Sequence, residues 1–130
     1  MHRFYALVVS VALPIFAGLA YGQFEKPEYA PSAVNALVDQ VHSDLDRAYS
    51  TRHLSGGDRD RLNNAEKQLR EFARKWDHHN FDKGELDDAI GSIQHVLDNN
   101  KLDGRDRDAI NDDITRLRNM REAYDRHEIR

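Results

Sequence analysis

Aspartate and histidine side chains cluster at two points of this sequence that lie 48 residues apart. Asp77, His78 and His79 form the first cluster, and Asp125 and His127 form the second. Imidazole nitrogens and carboxylate oxygens are common ligands of zinc and other divalent metal ions. If folding brings the two clusters to the same end of the protein, they can bind such an ion. The alternative is that His79 and His127 end two helices, where a cationic side chain interacts favourably with the helix dipole.

Other metal-binding and catalytic motifs fit the sequence poorly. Segments 80–86 and 98–104 resemble calcium-binding EF-hand loops only faintly, because neither has the glutamate that closes such a loop. No Glu-x-x-His pair supports a di-iron site of the ferritin type. The chain also has no cysteine nucleophile, phosphate-binding glycine loop or nucleophile elbow. We therefore expect a non-catalytic protein, for which the only cofactor suggested is a divalent metal at the Asp/His clusters.

The two clusters belong to an internal repeat. Residues 38–79 and 86–127 align without gaps, and 11 of the 42 aligned positions are identical. Many other pairs exchange one apolar residue for another, which indicates that both copies bury the same face. His42 departs from this rule because its counterpart is Ile90. We expect a partly buried histidine at the edge of the core, with one hydrogen-bond partner.

Four segments of the chain have apolar residues at the three- and four-residue spacing of amphipathic helices. The loops between them are short, so consecutive helices should be antiparallel neighbours. The expected fold is all-α: an up-down-up-down four-helix bundle built from a duplicated helical hairpin, residues 32–79 and 82–128. Its predicted core consists of the apolar residues of the four stripes: Val34, Leu37, Val38, Val41, Leu45, Ala48, Tyr49, Leu62, Ala65, Leu69, Phe72, Ala73, Trp76, Leu86, Ala89, Ile90, Ile93, Val96, Leu97, Ile110, Ile114, Leu117, Met120 and Tyr124.

Polar residues at the helix starts have the spacing of N-terminal caps. Asp82 is followed three residues later by Glu85, which predicts a reciprocal capping box. Two further loops share the pattern Leu-x-Gly-x-Asp-Arg-Asp, in which Ser55 or Asp58, and Asp103 or Asp106, compete for the cap position. Most remaining charges fit solvated helix faces with ion pairs four residues apart, such as Glu66 with Arg70.

The N-terminal 22 residues have the features of a secretory signal peptide. Arg3 precedes an apolar run from Phe4 to Phe16, and small residues then permit cleavage after Gly22, our preferred site, or after Ala20. Residues 23–31 form an expected flexible lead-in, from which Phe24 or Tyr29 can pack onto the helices. The protein should therefore be exported, to the periplasm or beyond, with no transmembrane segment in the mature chain.

The charge and cysteine content narrow the class of partner. Beyond Arg3 the chain has 18 basic and 23 acidic side chains, which argues against nucleic-acid binding. The exported chain has no cysteine, so packing alone must hold the fold together. The favoured function is a protein-interaction or envelope-associated module that uses a helix face. A divalent-metal-binding bundle and a periplasmic helical chaperone remain as alternatives.

Overall fold

The described part of the chain is helical throughout its regular structure. A computed structural model describes residues 26–50 and 53–129. A short 3-10 helix, Pro27–Tyr29, precedes four α-helices: α1 (Pro31–Tyr49), α2 (Gly56–Asp77), α3 (Lys83–Asn99) and α4 (Gly104–Asp125). No strand occurs among these residues, which confirms the all-α prediction. The predicted signal peptide lies outside the described residues.

The four helices pack around one apolar core. Helix α1 packs mainly against α2 and α4, and α3 packs mainly against the same two helices. Every predicted core residue is buried except Leu37 and Tyr124, which are half-buried and lie against the core. None of the described helices is both long and apolar enough to span a membrane.

Side-chain caps begin α2 and α4 at equivalent positions of the repeat. The Ser55 hydroxyl accepts a hydrogen bond from the Asp58 backbone N–H at 3.1 Å, and the Asp103 carboxylate accepts one from the Asp106 N–H at 3.0 Å. Of the competing candidates, Ser55 and Asp103 are therefore the caps. Asp58 and Asp106 lie in the first helical turn, where their charge opposes the positive end of the helix dipole.

The start of α3 has only half of the predicted capping box. The Asp82 carboxylate accepts a hydrogen bond from the Glu85 backbone N–H at 3.1 Å, as expected. The Glu85 carboxylate instead accepts one from the Lys75 ammonium at 3.2 Å, which links α3 to the end of α2. The prediction that Glu85 reaches back to the cap residue is therefore not met, because a nearby cation is a stronger partner than a backbone amide.

Helices α2 and α4 end in the same backbone motif. His79 and His127 both have a φ of 59°, in the left-handed region. The next residues, Asn80 and Glu128, donate their backbone N–H to carbonyls five positions earlier, which is the pattern of a Schellman motif. These two histidines therefore occupy positions where glycine is usually favoured, and their backbone conformation is strained.

The segment before α1 packs onto the helical core. Tyr29 is half-buried against it, and the Tyr29 carbonyl accepts a hydrogen bond from the Trp76 indole N–H at 2.8 Å. The Lys26 ammonium pairs with the Glu128 carboxylate at 2.9 Å. Phe24, the other residue expected to pack, lies outside the described residues.

Replacing His79 or His127 with glycine should stabilise the protein. Glycine adopts a positive φ without strain, so each change should raise the free energy of unfolding by about 0.5–1 kcal/mol. Alanine at the same positions should leave stability nearly unchanged, because it keeps the strain. Urea denaturation measures both effects. His78→Gly is the matched control, since φ there is −102° and glycine should only destabilise. Equal destabilisation by all three glycines would contradict this account of the helix ends.

Candidate functional site

The aspartates predicted to bind a metal already have other partners. The Asp77 carboxylate accepts a hydrogen bond from the Asn35 side-chain amide at 2.9 Å. The Asp125 carboxylate pairs with the Lys83 ammonium at 2.8 Å and with the Arg121 guanidinium at 3.0 Å. These contacts hold the pKa of Asp125 below its usual range, chiefly through the hydrogen bond from Lys83. A metal ion at this end would have to displace them.

The three histidines of the predicted site lie on the surface. His78, His79 and His127 are all exposed, and the His79 ring contacts the Trp76 ring edge-on at 5.9 Å between centroids. Within residues 26–50 and 53–129, the one group of three His, Asp or Glu ligand atoms that all lie within 4.8 Å of one another is elsewhere, between α1 and α2. The Asp/His clusters therefore do not form such a group, and the helix-end backbone motif accounts for His79 and His127.

A pair of buried carboxyl groups, which the sequence did not suggest, lies between α1 and α4. Asp44 and Asp113 are only 4% and 3% exposed. The Asp44 carboxylate accepts hydrogen bonds from the Gln40 side-chain amide at 3.0 Å and from the Arg47 guanidinium at 2.7 Å. The Asp113 Oδ2 atom is buried and meets no N–H or hydroxyl donor, and the neighbouring Asp44 carboxylate is the group that a proton on Asp113 would reach. Burial of two neighbouring carboxyl groups makes it unfavourable for both to be charged.

The surroundings of the pair give the two carboxyl groups different pKa values. Burial and then the hydrogen bond to Asp44 raise the pKa of Asp113 to about 8. Burial also acts to raise the pKa of Asp44, but hydrogen bonds from Asp113, Gln40 and Arg47 outweigh it and lower that pKa. Near neutral pH, Asp113 therefore holds a proton and donates it to the Asp44 carboxylate. Aspartate pairs of this kind share one proton and titrate as a unit.

The buried pair lies in a groove that runs along the seam between α1 and α4. One part of the groove, about 610 Å³ in volume, has a mostly apolar lining that includes Tyr29, Ala33, Ala36 and Leu37. The adjoining part, about 390 Å³, includes both carboxyl groups. The two parts share Gln40 and Arg116 in their linings, so they adjoin one another. Apolar surface and a hydrogen-bonding group without a partner thus lie side by side.

The repeat contains a signal that could have identified Asp113. Its counterpart in the first copy is Ala65, which is fully buried in α2. An acid that takes the place of a core alanine is buried unless the helix rotates. The adjacent Asp112 is exposed, so the two neighbouring aspartates lie in opposite environments.

The class of protein that these features define is a small all-α protein with an acid-lined groove. No protein-family model, curated protein or solved structure gives a significant match to the chain. Inference about its function therefore starts from the side chains described above.

The shared proton should make stability fall as pH rises. Asp113 keeps its proton in the folded state up to about pH 8, whereas the unfolded chain releases it near the ordinary aspartate pKa of 3.8. The stabilisation is thus complete below about pH 4 and is lost as the pH rises through about 8. Asp113→Asn should remove this loss and raise the free energy of unfolding, by on the order of 2 kcal/mol at about pH 9 relative to the wild type.

Urea denaturation at about pH 5 and about pH 9 measures this difference. Asp112→Asn is the matched control, because it removes one exposed charge from the adjacent position. That charge contributes only slightly to the raised pKa of Asp113, so most of the wild-type pH dependence should remain. A wild-type pH dependence in Asp113→Asn would show that the pair does not hold the proton.

Proposed function

We propose that this chain is an exported, non-catalytic four-helix bundle that binds a basic, amphipathic segment of a partner protein in the groove between α1 and α4. The proposed ligand is a short stretch of apolar side chains next to a lysine or arginine. The buried Asp113 carboxyl, with an oxygen that lacks a partner at the floor of a partly apolar groove, is the observation that carries the proposal.

The proposed architecture is an up-down-up-down bundle formed by duplication of a helical hairpin. The equal spacing of α2 and α4 supports it: both the first and last residues of these helices differ by 48. Their N-caps and C-terminal hydrogen bonds also differ by 48 residues. Each helix has two main neighbours, as in a closed ring of four.

Export is supported by the sequence of the N-terminus. A short basic start, an apolar run too short to span a bilayer and small residues at Ala20 and Gly22 follow the order of a secretory signal. We place the mature protein in the periplasm or outside the cell. The pH there is not controlled by the cell. The pH dependence that the Asp44–Asp113 pair gives to stability would then affect the binding function.

The lining of the groove determines the chemistry of the partner. Tyr29 and Leu37 are half-buried apolar side chains that a partner can cover, which gives affinity through removal of apolar surface from water. A lysine or arginine that reaches Asp113 can donate a hydrogen bond to its Oδ2 atom and favours the ionised carboxylate. Arg47 and Arg116 line the same part of the groove and oppose this attraction, so the apolar contacts must supply much of the affinity. The net negative charge of the chain steers basic partners in the same direction.

Selection from a library of displayed random peptides tests the proposal. We expect enriched peptides to combine apolar residues with a lysine or arginine. Ala36→Arg, which fills the groove from an exposed position, should weaken their binding about ten-fold or more. Asn64→Arg is the matched control, because it adds the same side chain to an exposed position of α2 and should not alter binding. Failure to enrich peptides, or peptides that bind Ala36→Arg as well as the wild type, would overturn the proposal.

The two other functions left open by the sequence receive less support. A helical chaperone would need the hairpins to splay and expose their stripes, whereas those stripes are buried in one core over the described residues. A metal site at Asp77, His78, His79, Asp125 and His127 lacks converging ligands. The absence of an enzymatic role also remains part of our proposal.

A further inference from the structure

An imidazole and two carboxylates converge at the seam between α1 and α2. The His42 Nδ1 atom lies 3.0 Å from a Glu66 carboxylate oxygen, and the His42 Nε2 atom lies 3.3 Å from an Asp46 carboxylate oxygen. His42 and Asp46 are four residues apart on α1, so they lie on one face of that helix. Glu66 reaches them from α2. Neither the groove nor the predicted Asp/His clusters include these three residues.

We propose that His42, Asp46 and Glu66 form a binding site for a divalent transition-metal ion, with zinc as the best fit. One ligand atom from each residue can be chosen so that all three lie within 4.8 Å of one another. Zinc–nitrogen and zinc–oxygen bonds of about 2.0–2.2 Å place the ligand atoms of one shell about 3–4 Å apart. The two carboxylates lie at different nitrogens of the His42 ring, and an ion binds only one of these nitrogens. Closing the three residues around an ion therefore requires the ring or one of the carboxylates to rotate.

The ligand types favour zinc over calcium or magnesium. Calcium takes six to eight oxygen ligands and magnesium prefers an octahedral oxygen shell, whereas zinc readily accepts one nitrogen with carboxylate oxygens. Two carboxylates and a neutral imidazole carry two negative charges, which a divalent ion balances. Three protein ligands leave a further coordination position for water or for a ligand from outside the protein.

The second copy of the repeat shows what this seam looks like without the polar groups. The counterparts of His42 and Glu66 are Ile90 and Ile114, and both isoleucines are buried. The scaffold therefore accepts an apolar residue at each of the two positions. Packing alone does not require a histidine facing a glutamate here, so the first copy has polar residues where burial of apolar surface was available.

The exposure of the three side chains suits an ion that enters from solvent. Glu66 is only 17% exposed, His42 is 33% exposed and Asp46 is 61% exposed. The two less exposed ligands come from different helices, while Asp46 is the most exposed of the three. Burial is also the main reason that the pKa of Glu66 is raised, in spite of the opposing effect of His42. A bound cation would relieve this unfavourable burial of a carboxylate.

Zinc titration of the tag-free, EDTA-treated protein tests the site. We expect one zinc ion per chain by isothermal titration calorimetry, and a melting temperature that rises with zinc concentration. His42→Ile/Glu66→Ile introduces the residues of the second copy, so this double variant should fold and lose the binding. His79→Ala/His127→Ala is the matched control, because it removes two exposed imidazoles and should bind zinc as the wild type does.

The conservative single variants give an independent measure. His42→Gln and Glu66→Gln keep the size and polarity of the side chains, and each should weaken zinc binding by on the order of 10–100-fold or more. With Co²⁺ as a probe, the wild type should show visible absorption of a bound ion that zinc abolishes, and the double variant should not.

Several outcomes would overturn the proposal. No zinc binding by the wild type would leave the three residues as an ion-pair cluster. Binding that survives in His42→Ile/Glu66→Ile but is lost in His79→Ala/His127→Ala would move the site to the helix ends. The peptide test of the groove is independent of these results, since Ala36→Arg changes the other flank of α1 and either proposal can fail without the other.

Discussion

Burial of the apolar stripe of each helix is the constraint on which the rest of this structure depends. The chain has no cysteine, so no disulfide holds the helices together and stability must come from packing. Each stripe occupies only one side of its helix and needs two neighbours to cover it. The ring of contacts among α1, α2, α3 and α4 meets this need, and it places the flanks of every helix at a seam with another helix.

The candidate functional groups are polar side chains at these seams. A side chain there is held in place by the packed helices and can still be reached from solvent. A polar group within the core must be hydrogen-bonded or neutral to be tolerated. Asp44 meets this condition through Gln40 and Arg47, and Asp113 meets it by holding a proton. His42 lies at the edge of the core, where it is partly exposed and has a carboxylate oxygen within 3.3 Å of each ring nitrogen. These side-chain contacts are local, so each can be changed by mutation without changing the helices that carry it.

Helical spacing made the fold predictable. The contacts at the seams could not be predicted in the same way, because they depend on which helix flanks face each other. Leu69, Leu117 and Trp76 could be assigned to the core because apolar residues three and four positions apart define a face without reference to any partner. Glu66 shows the limit: its spacing from Arg70 is that of a solvated helical ion pair, yet its carboxylate lies against His42 of another helix. Asp113 follows another acid in the sequence and therefore had the pattern of a surface residue.

The repeat supplies part of what spacing alone does not. At some aligned positions one segment has an apolar residue and the other a polar residue, and Asp113, His42 and Glu66 are three of the polar residues. The departure of His42 from Ile90 was visible in the sequence, but its two carboxylate neighbours were not. A difference between the two aligned segments shows that a position is unusual. The packing of the helices is needed to identify the partners of the residue there.

Helix α1 shows how one element can serve two sites. With about 100° of rotation per residue, Val41 and Leu45 mark the middle of its apolar stripe, while His42 and Asp44 fall on opposite flanks. The flank with His42 and Asp46 faces α2, and the flank with Asp44 faces α4. The core stripe separates the two flanks, so an ion on one side and a peptide on the other do not compete for the same atoms. Any coupling between them would have to pass through movement of α1 as a whole, and its buried stripe resists that movement.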